Sequence, residues 1–130
     1  MKKAIALATL VSICGILGTA LPQSGDKASQ GVPAAVQAVF KSRCTSCHTG
    51  SKPPRGLSLI PDRSAFILGA PSAEVPSLRI VDTDDPSASY LLKKVRREPG
   101  ISGKPMPPSK ALPVDELRII EDWIMGLKKS

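Results

Sequence analysis

Residues 44–48 read Cys44-Thr45-Ser46-Cys47-His48, two thiols three positions apart with an imidazole directly after the second. Thiols at this spacing reach both vinyl groups along one edge of a porphyrin and form thioethers with them. The adjacent imidazole is then carried under the ring to meet iron. Two other chemistries use closely spaced cysteines. A thioredoxin-like dithiol wants a βαβ setting, which this chain lacks. A structural zinc wants four ligands, and past the leader described below only Cys44, Cys47 and His48 remain as cysteine or histidine donors. The pattern therefore points to one covalent haem c held by Cys44 and Cys47, with His48 as the proximal iron ligand.

The sixth iron ligand follows by elimination. His48 is the only histidine, so two histidines of one chain cannot ligate the iron. Past the leader the methionines are Met106 and Met125. By the 3.6-residue period, Met125 lies about 100° from the centre of the stripe Leu117, Ile120, Ile124 and Leu127, which turns it away from the core those residues build. Met106 lies in Gly103-Lys104-Pro105-Met106-Pro107-Pro108. Proline on both sides keeps the backbone extended and removes competing amide donors, so a thioether can be presented rigidly. Methionine is often core filler, but such a loop is a poor place for filler. Met106 is the expected axial ligand, with Lys104 and Lys110 as the remaining options.

The elements around these residues are helical. Pro33 suits a first helical turn, and Ala34 to Arg43 places Val36, Val39 and Phe40 at helical spacing, so that helix runs straight into Cys44. Residues 49–65 hold Gly50, Pro53, Pro54, Gly56 and Pro61 and read as loop. A short helix is expected over Arg63 to Leu68. Asp85-Pro86 reads as a helix start, with Asp85 as cap. Tyr90, Leu91 and Val95 then lie on one side, and Lys93, Lys94, Arg96 and Arg97 on the rest. Residues 99–110 are too rich in proline and glycine for a regular element. A last helix is expected from Val114 to Lys128, acidic at its start and basic at its end as the macrodipole favours. No strand of convincing length is legible. The reading is an all-α domain of three to five helices with long loops.

Lys2 and Lys3 open the chain, and Ala4 to Ala20 carries no charged side chain. Gly18 and Ala20 are spaced for signal-peptidase cleavage. Residues 1–20 are read as a signal peptide, 21–32 as a flexible lead-in and 33–130 as the domain. A retained anchor is the alternative, but a spanning helix wants ~20 apolar residues and this run is shorter. Ile13 is too large for Cys14 to be a lipoprotein site. Export implies a periplasmic location, membrane-associated only if the leader is kept. An exported chain with two cysteines suggests a disulfide, but one across three positions would close a tiny loop and staple little.

Losing Lys2 and Lys3 with the leader takes the formal charge from +7 to +5. With export and only 3% aromatic residues, nucleic acid is not an expected partner. The basic side chains suit redox partner proteins with an acidic docking surface. No membrane span is expected after cleavage.

From about residue 33 to 128 the chain resembles the cytochrome c domain superfamily, specifically small bacterial c-type cytochromes ending in a Met-Pro-Pro loop and a Trp-containing helix. The resemblance is carried by Cys44-Thr-Ser-Cys47-His48, by Pro105-Met106-Pro107-Pro108 and by Leu117-Arg-Ile-Ile-Glu-Asp-Trp123-Ile. It implies a cytochrome c-like fold wrapped around the haem, and packing of Phe40 against Trp123. It also implies a proline carbonyl accepting the His48 ring N–H, from Pro53, Pro54 or Pro61. Arg55 or Arg79 could pair with the haem propionates. Residues 62–85 depart from the smallest members, being longer and more irregular.

The expected function is one-electron transfer rather than enzymatic turnover: two axial ligands close the iron, and methionine raises its potential. Peroxidase work needs an open iron with acid–base groups nearby, and no second histidine exists to serve. The alternatives are a haem-bearing subunit of a periplasmic oxidoreductase complex, or a five-coordinate haem sensor with Met106 idle.

Overall fold

A computed structural model describes residues 31–127. The signal peptide expected at 1–20, nearly all of the 21–32 lead-in and the basic end expected for the last helix lie outside these residues. Four α-helices follow one another: α1 (Ala34–Arg43), α2 (Pro61–Ser64), α3 (Tyr90–Arg96) and α4 (Val114–Met125). Three 3₁₀ turns, Pro54–Gly56, Ala65–Ile67 and Pro86–Ala88, sit in the connections. Among the described residues there is no strand, only isolated bridges pairing Leu68 with Val81 and Pro71 with Arg79. The architecture is all-α with long loops. None of the described helices is long and apolar enough to cross a membrane.

Helix α1 starts where Pro33 fixes an extended backbone and buries Val36, Val39 and Phe40. Helix α4 packs against both α1 and α3, burying Ile120 and Ile124. Leu91, Leu92 and Val95 of α3 close the core, with Leu59, Ile67, Val81 and Leu112 filling in from the loops. Phe40 meets Trp123 edge-on, with ring centroids 6.3 Å apart and planes at 79°, an arrangement aromatic quadrupoles favour. The packing that the resemblance implied is present.

The short helix expected over Arg63 to Leu68 begins earlier, at Pro61, and passes into a 3₁₀ turn at Ala65. Residues 67–81 then double back: Gly69 and Ile80 donate amides to Val81 and Ala70 at 2.8 Å each. This returning segment explains a second difference. Helix α3 starts at Tyr90, not at Asp85-Pro86, and the Asp85 side chain caps nothing. The carbonyls of Arg79 and Ile80 accept the first amides of α3, from Tyr90 and Leu91, at 2.9 Å. Orphan donors at a helix start need a partner of some kind, and here the neighbouring backbone supplies it. Asp82 takes the turn-making role instead, accepting the amides of Asp84 and Asp85 at 2.9 Å.

Two side chains expected on the outside are turned inward. Met125 is half-buried and packs against the core. Lys94, expected among the outer residues of α3, is 6% exposed. Burial of an ammonium demands partners, and Glu74 on the returning segment supplies the carboxylate.

Candidate functional site

The turn carrying the cysteines continues from α1. Cys44 and Thr45 both donate amides to the Phe40 carbonyl, and His48 donates to the Cys44 carbonyl at 2.9 Å. Both cysteines are free thiols, Cys44 half-buried and Cys47 exposed. Burial first, then the Glu116 charge, pushes the Cys44 thiol up to about 11. It is therefore a neutral thiol at physiological pH. A redox-active dithiol needs the opposite, a thiol acidified by its surroundings. Among the described residues no group of three or more His, Cys, Asp and Glu side chains is placed to hold a metal ion.

His48 is buried, at 8% exposure. Its Nδ1 lies 3.0 Å from the Leu57 carbonyl oxygen. A carbonyl only accepts, so Nδ1 carries the proton and Nε2 presents its lone pair. Nε2 has no hydrogen-bond partner among the described residues. The His48 carbonyl in turn accepts the Leu59 amide at 2.9 Å, so residues 57–59 are tied to His48 at its ring and at its backbone.

The expected proline acceptor is thus replaced by Leu57. Pro53 and Pro54 have their carbonyls engaged by the Gly56 and Leu57 amides in the 3₁₀ turn, and the Pro61 carbonyl accepts the Ser64 hydroxyl. Backbone carbonyls look alike in any sequence, so no residue type could have signalled Leu57.

Met106 is half-buried, and its amide donates to the Lys94 carbonyl at 3.0 Å. The following peptide, Met106–Pro107, is cis. The Arg97 guanidinium donates to the Pro107 carbonyl at 2.9 Å. A cleft of about 280 Å³ is lined by Ser42 and Arg43 at the end of α1 and by Pro107, Ser109, Lys110 and Leu112. The residue before Cys44 and the residue after Met106 therefore border one cavity, although Cys47 and His48 do not line it. Lys104 and Lys110 are both exposed.

No family model, curated protein or solved structure matches this chain. The chemistry is therefore drawn from its own residues. Two reduced thiols on one turn and an imidazole locked to expose Nε2 form a donor set that suits a covalent haem. Orientation of a ligating histidine by a carbonyl on its other nitrogen is what metal ligation ordinarily requires. The loop that carries Met106, Lys104 and Lys110 meets the end of α1 at this cleft.

The two arginines considered for propionates have carboxylate neighbours. Arg79 pairs with Asp84 at 2.7 Å and with Asp82 at 3.8 Å, and Arg55 lies 3.8 Å from Glu74. Sequence reasoning missed the Glu74, Tyr90 and Lys94 cluster beside the Met106 loop. The signal available was an acidic residue within an otherwise uncharged stretch, Gly69 to Leu78, which has no period to say where Glu74 points.

Proposed function

We propose that this chain is a mono-haem c-type cytochrome of cytochrome c-like fold, an exported periplasmic one-electron carrier. The observation that carries the reading is the state of His48. It directly follows two free thiols, and Leu57 holds its Nδ1–H so that Nε2 is left for iron. Cys44 and Cys47 would hold the porphyrin as thioethers. His48 through Nε2 and Met106 through its thioether sulfur would be the ligands to its iron. The haem, when bound, supplies a one-electron Fe(II)/Fe(III) couple.

The protein's own part is to hold these donors still and to keep water from the ligand bonds. The Leu57 bond keeps the imidazole in one tautomer and one orientation.

Encounter with redox partners is a matter of charge. The cations of α3 are largely spent inside the chain, Lys93 on Glu98 and Arg96 on Glu121. Lys104 and Lys110 stay exposed on either side of Met106. With Lys41, Lys52, Arg63 and Arg118, also exposed, they are cations that an acidic partner surface would meet.

The test is chemical. Protein purified from the exporting cell and precipitated in acidified acetone should keep its colour and weigh one haem more than the polypeptide. Colourless protein at its bare mass would refute the reading. In the Met106→Ala variant the oxidised low-spin spectrum should change; an unchanged spectrum would remove Met106 from the iron.

A further inference from the structure

Lys94 is a buried ammonium whose three protons all have acceptors: the Glu74 carboxylate, the Ser102 carbonyl and, at 2.9 Å, the Lys104 carbonyl. Its backbone carbonyl also accepts the Met106 amide at 3.0 Å. One residue thus holds three alternate positions of a single loop: 102, 104 and 106. Tyr90, one turn earlier on α3, adds a fourth tie. Its hydroxyl accepts the Ser102 amide at 3.0 Å and donates to Glu74 Oε2 at 3.1 Å, and the Lys94 ammonium lies 5.4 Å from the centre of its ring. Gly103 fits the same cage, since a Cβ there would come within 3.1 Å of Glu74 Oε1.

A buried ion pair is rarely the most stabilising way to fill space, because desolvation offsets much of its attraction. An apolar side chain at position 94 would pack as well. It could not bind two carbonyls of a loop that has no regular structure of its own. What the charge supplies here is a fixed loop.

We propose that Glu74, Tyr90 and Lys94 form a buried clamp whose role is to position the Met106 loop, and so to hold the methionine sulfur on the iron against competing ligands. The inference rests on the haem reading above. The three are positioning residues, since none is assigned a bond to iron. The clamp acts by lowering the freedom of the 102–106 backbone, so that the ligand is already in place when it binds.

The test uses the full-length, haem-loaded protein and added imidazole as the competitor for the methionine position. Tyr90→Phe keeps the ring and loses the hydroxyl; Glu74→Gln keeps the shape and loses the charge. Each should let imidazole displace methionine at a concentration at least tenfold lower than in the unaltered protein, read from loss of the methionine–iron charge-transfer band. Hydrogen exchange of the Met106 amide should speed up in both, a change that does not depend on the haem spectrum. Ile120→Val, a core deletion on α4, is the control for general destabilisation and should leave the imidazole affinity unaltered. Unchanged affinity and exchange in both clamp variants would overturn the proposal, as would an equal shift in Ile120→Val. If Glu74→Gln does not fold, Tyr90→Phe decides alone. Unaltered protein without haem would sink the cytochrome reading and the clamp with it. Haem present and methionine-ligated, with imidazole binding indifferent to both substitutions, would sink the clamp only.

Discussion

Gly103 stands at φ +68°, a conformation glycine adopts freely, and the space beside it is filled by a pinned carboxylate. Gly103→Ala therefore incurs two costs: roughly 1–2 kcal/mol for the left-handed backbone, and a further loss from displacing Glu74. Gly50 has a similar φ of +79° with open space around its Cα, so Gly50→Ala should show the backbone cost alone. Urea denaturation of the two variants should place Gly103→Ala clearly below Gly50→Ala. Phe40 is fully buried against Trp123. Its truncation to alanine should cost about 3–5 kcal/mol, measured by the same denaturation. The Trp123 indole N–H is buried with no hydrogen-bond partner, so Trp123→Phe should cost less than its lost area implies, as an unpaired donor goes with it.

Elements are joined across the molecule by charge as well as by packing. Arg43 at the end of α1 grips Glu116 in the first turn of α4 with two bonds, at 2.7 and 2.8 Å. That hydrogen bond, opposed in part by desolvation, holds the Glu116 carboxyl below its ordinary value of 4.5. Before α3, the amides of Asp85 and then Asp84 hold the Asp82 carboxyl below 3.8. For Glu74, burial would raise the carboxyl, but the Lys94 ammonium, the Tyr90 hydroxyl and Arg55 together hold it below 4.5. All three shifts have the same sign. A carboxylate with a depressed folded value binds its proton more readily unfolded, so its stabilisation is complete above the unfolded value and lost as pH falls through the folded one. Stability should therefore drop as pH is taken below about 4.5, and Glu116→Gln and Asp82→Asn should each flatten that fall. Thermal melts between neutral pH and pH 3 read the slope directly. Slopes unchanged in both variants would mean that other carboxylates control acid unfolding.

At the scale of the whole molecule, a small core holds long irregular connections, and among the described residues its buried aromatic side chains are Phe40 and Tyr90, with Trp123 partly buried against Phe40. A chain of this size has little surface to bury and commonly depends on a staple or cofactor. On the proposed reading, the haem supplies that missing apolar body. The double variant Cys44→Ser/Cys47→Ser, which cannot attach it, should melt at a lower temperature and over a broader range than the haem-loaded protein. Equal melting of the two, by circular dichroism, would mean that the polypeptide core suffices.

Wherever neighbours in sequence decide the outcome, the sequence by itself determined it. Helix α1 was legible to the residue, because Pro33 and the spacing of Val36, Val39 and Phe40 act within a few turns. The order thiol, thiol, imidazole is likewise fixed by adjacency, whatever the rest of the chain does, and it carries most of the candidate site. The Phe40–Trp123 contact was legible only through a family resemblance, since it joins the two ends of the domain. Tertiary structure alone decided the rest. Leu57 holds His48 through a carbonyl, a group every residue possesses, so no side chain could announce it. Arg79 and Ile80 start α3 with carbonyls in place of the Asp85 side chain for the same reason. Lys93 and Lys94 are the same residue type at adjacent positions, yet only Lys94 is buried, because Glu74 reaches it on a segment with no periodicity to read. Charge can be buried only where the fold delivers its partner, and long-range delivery is not written in any local pattern.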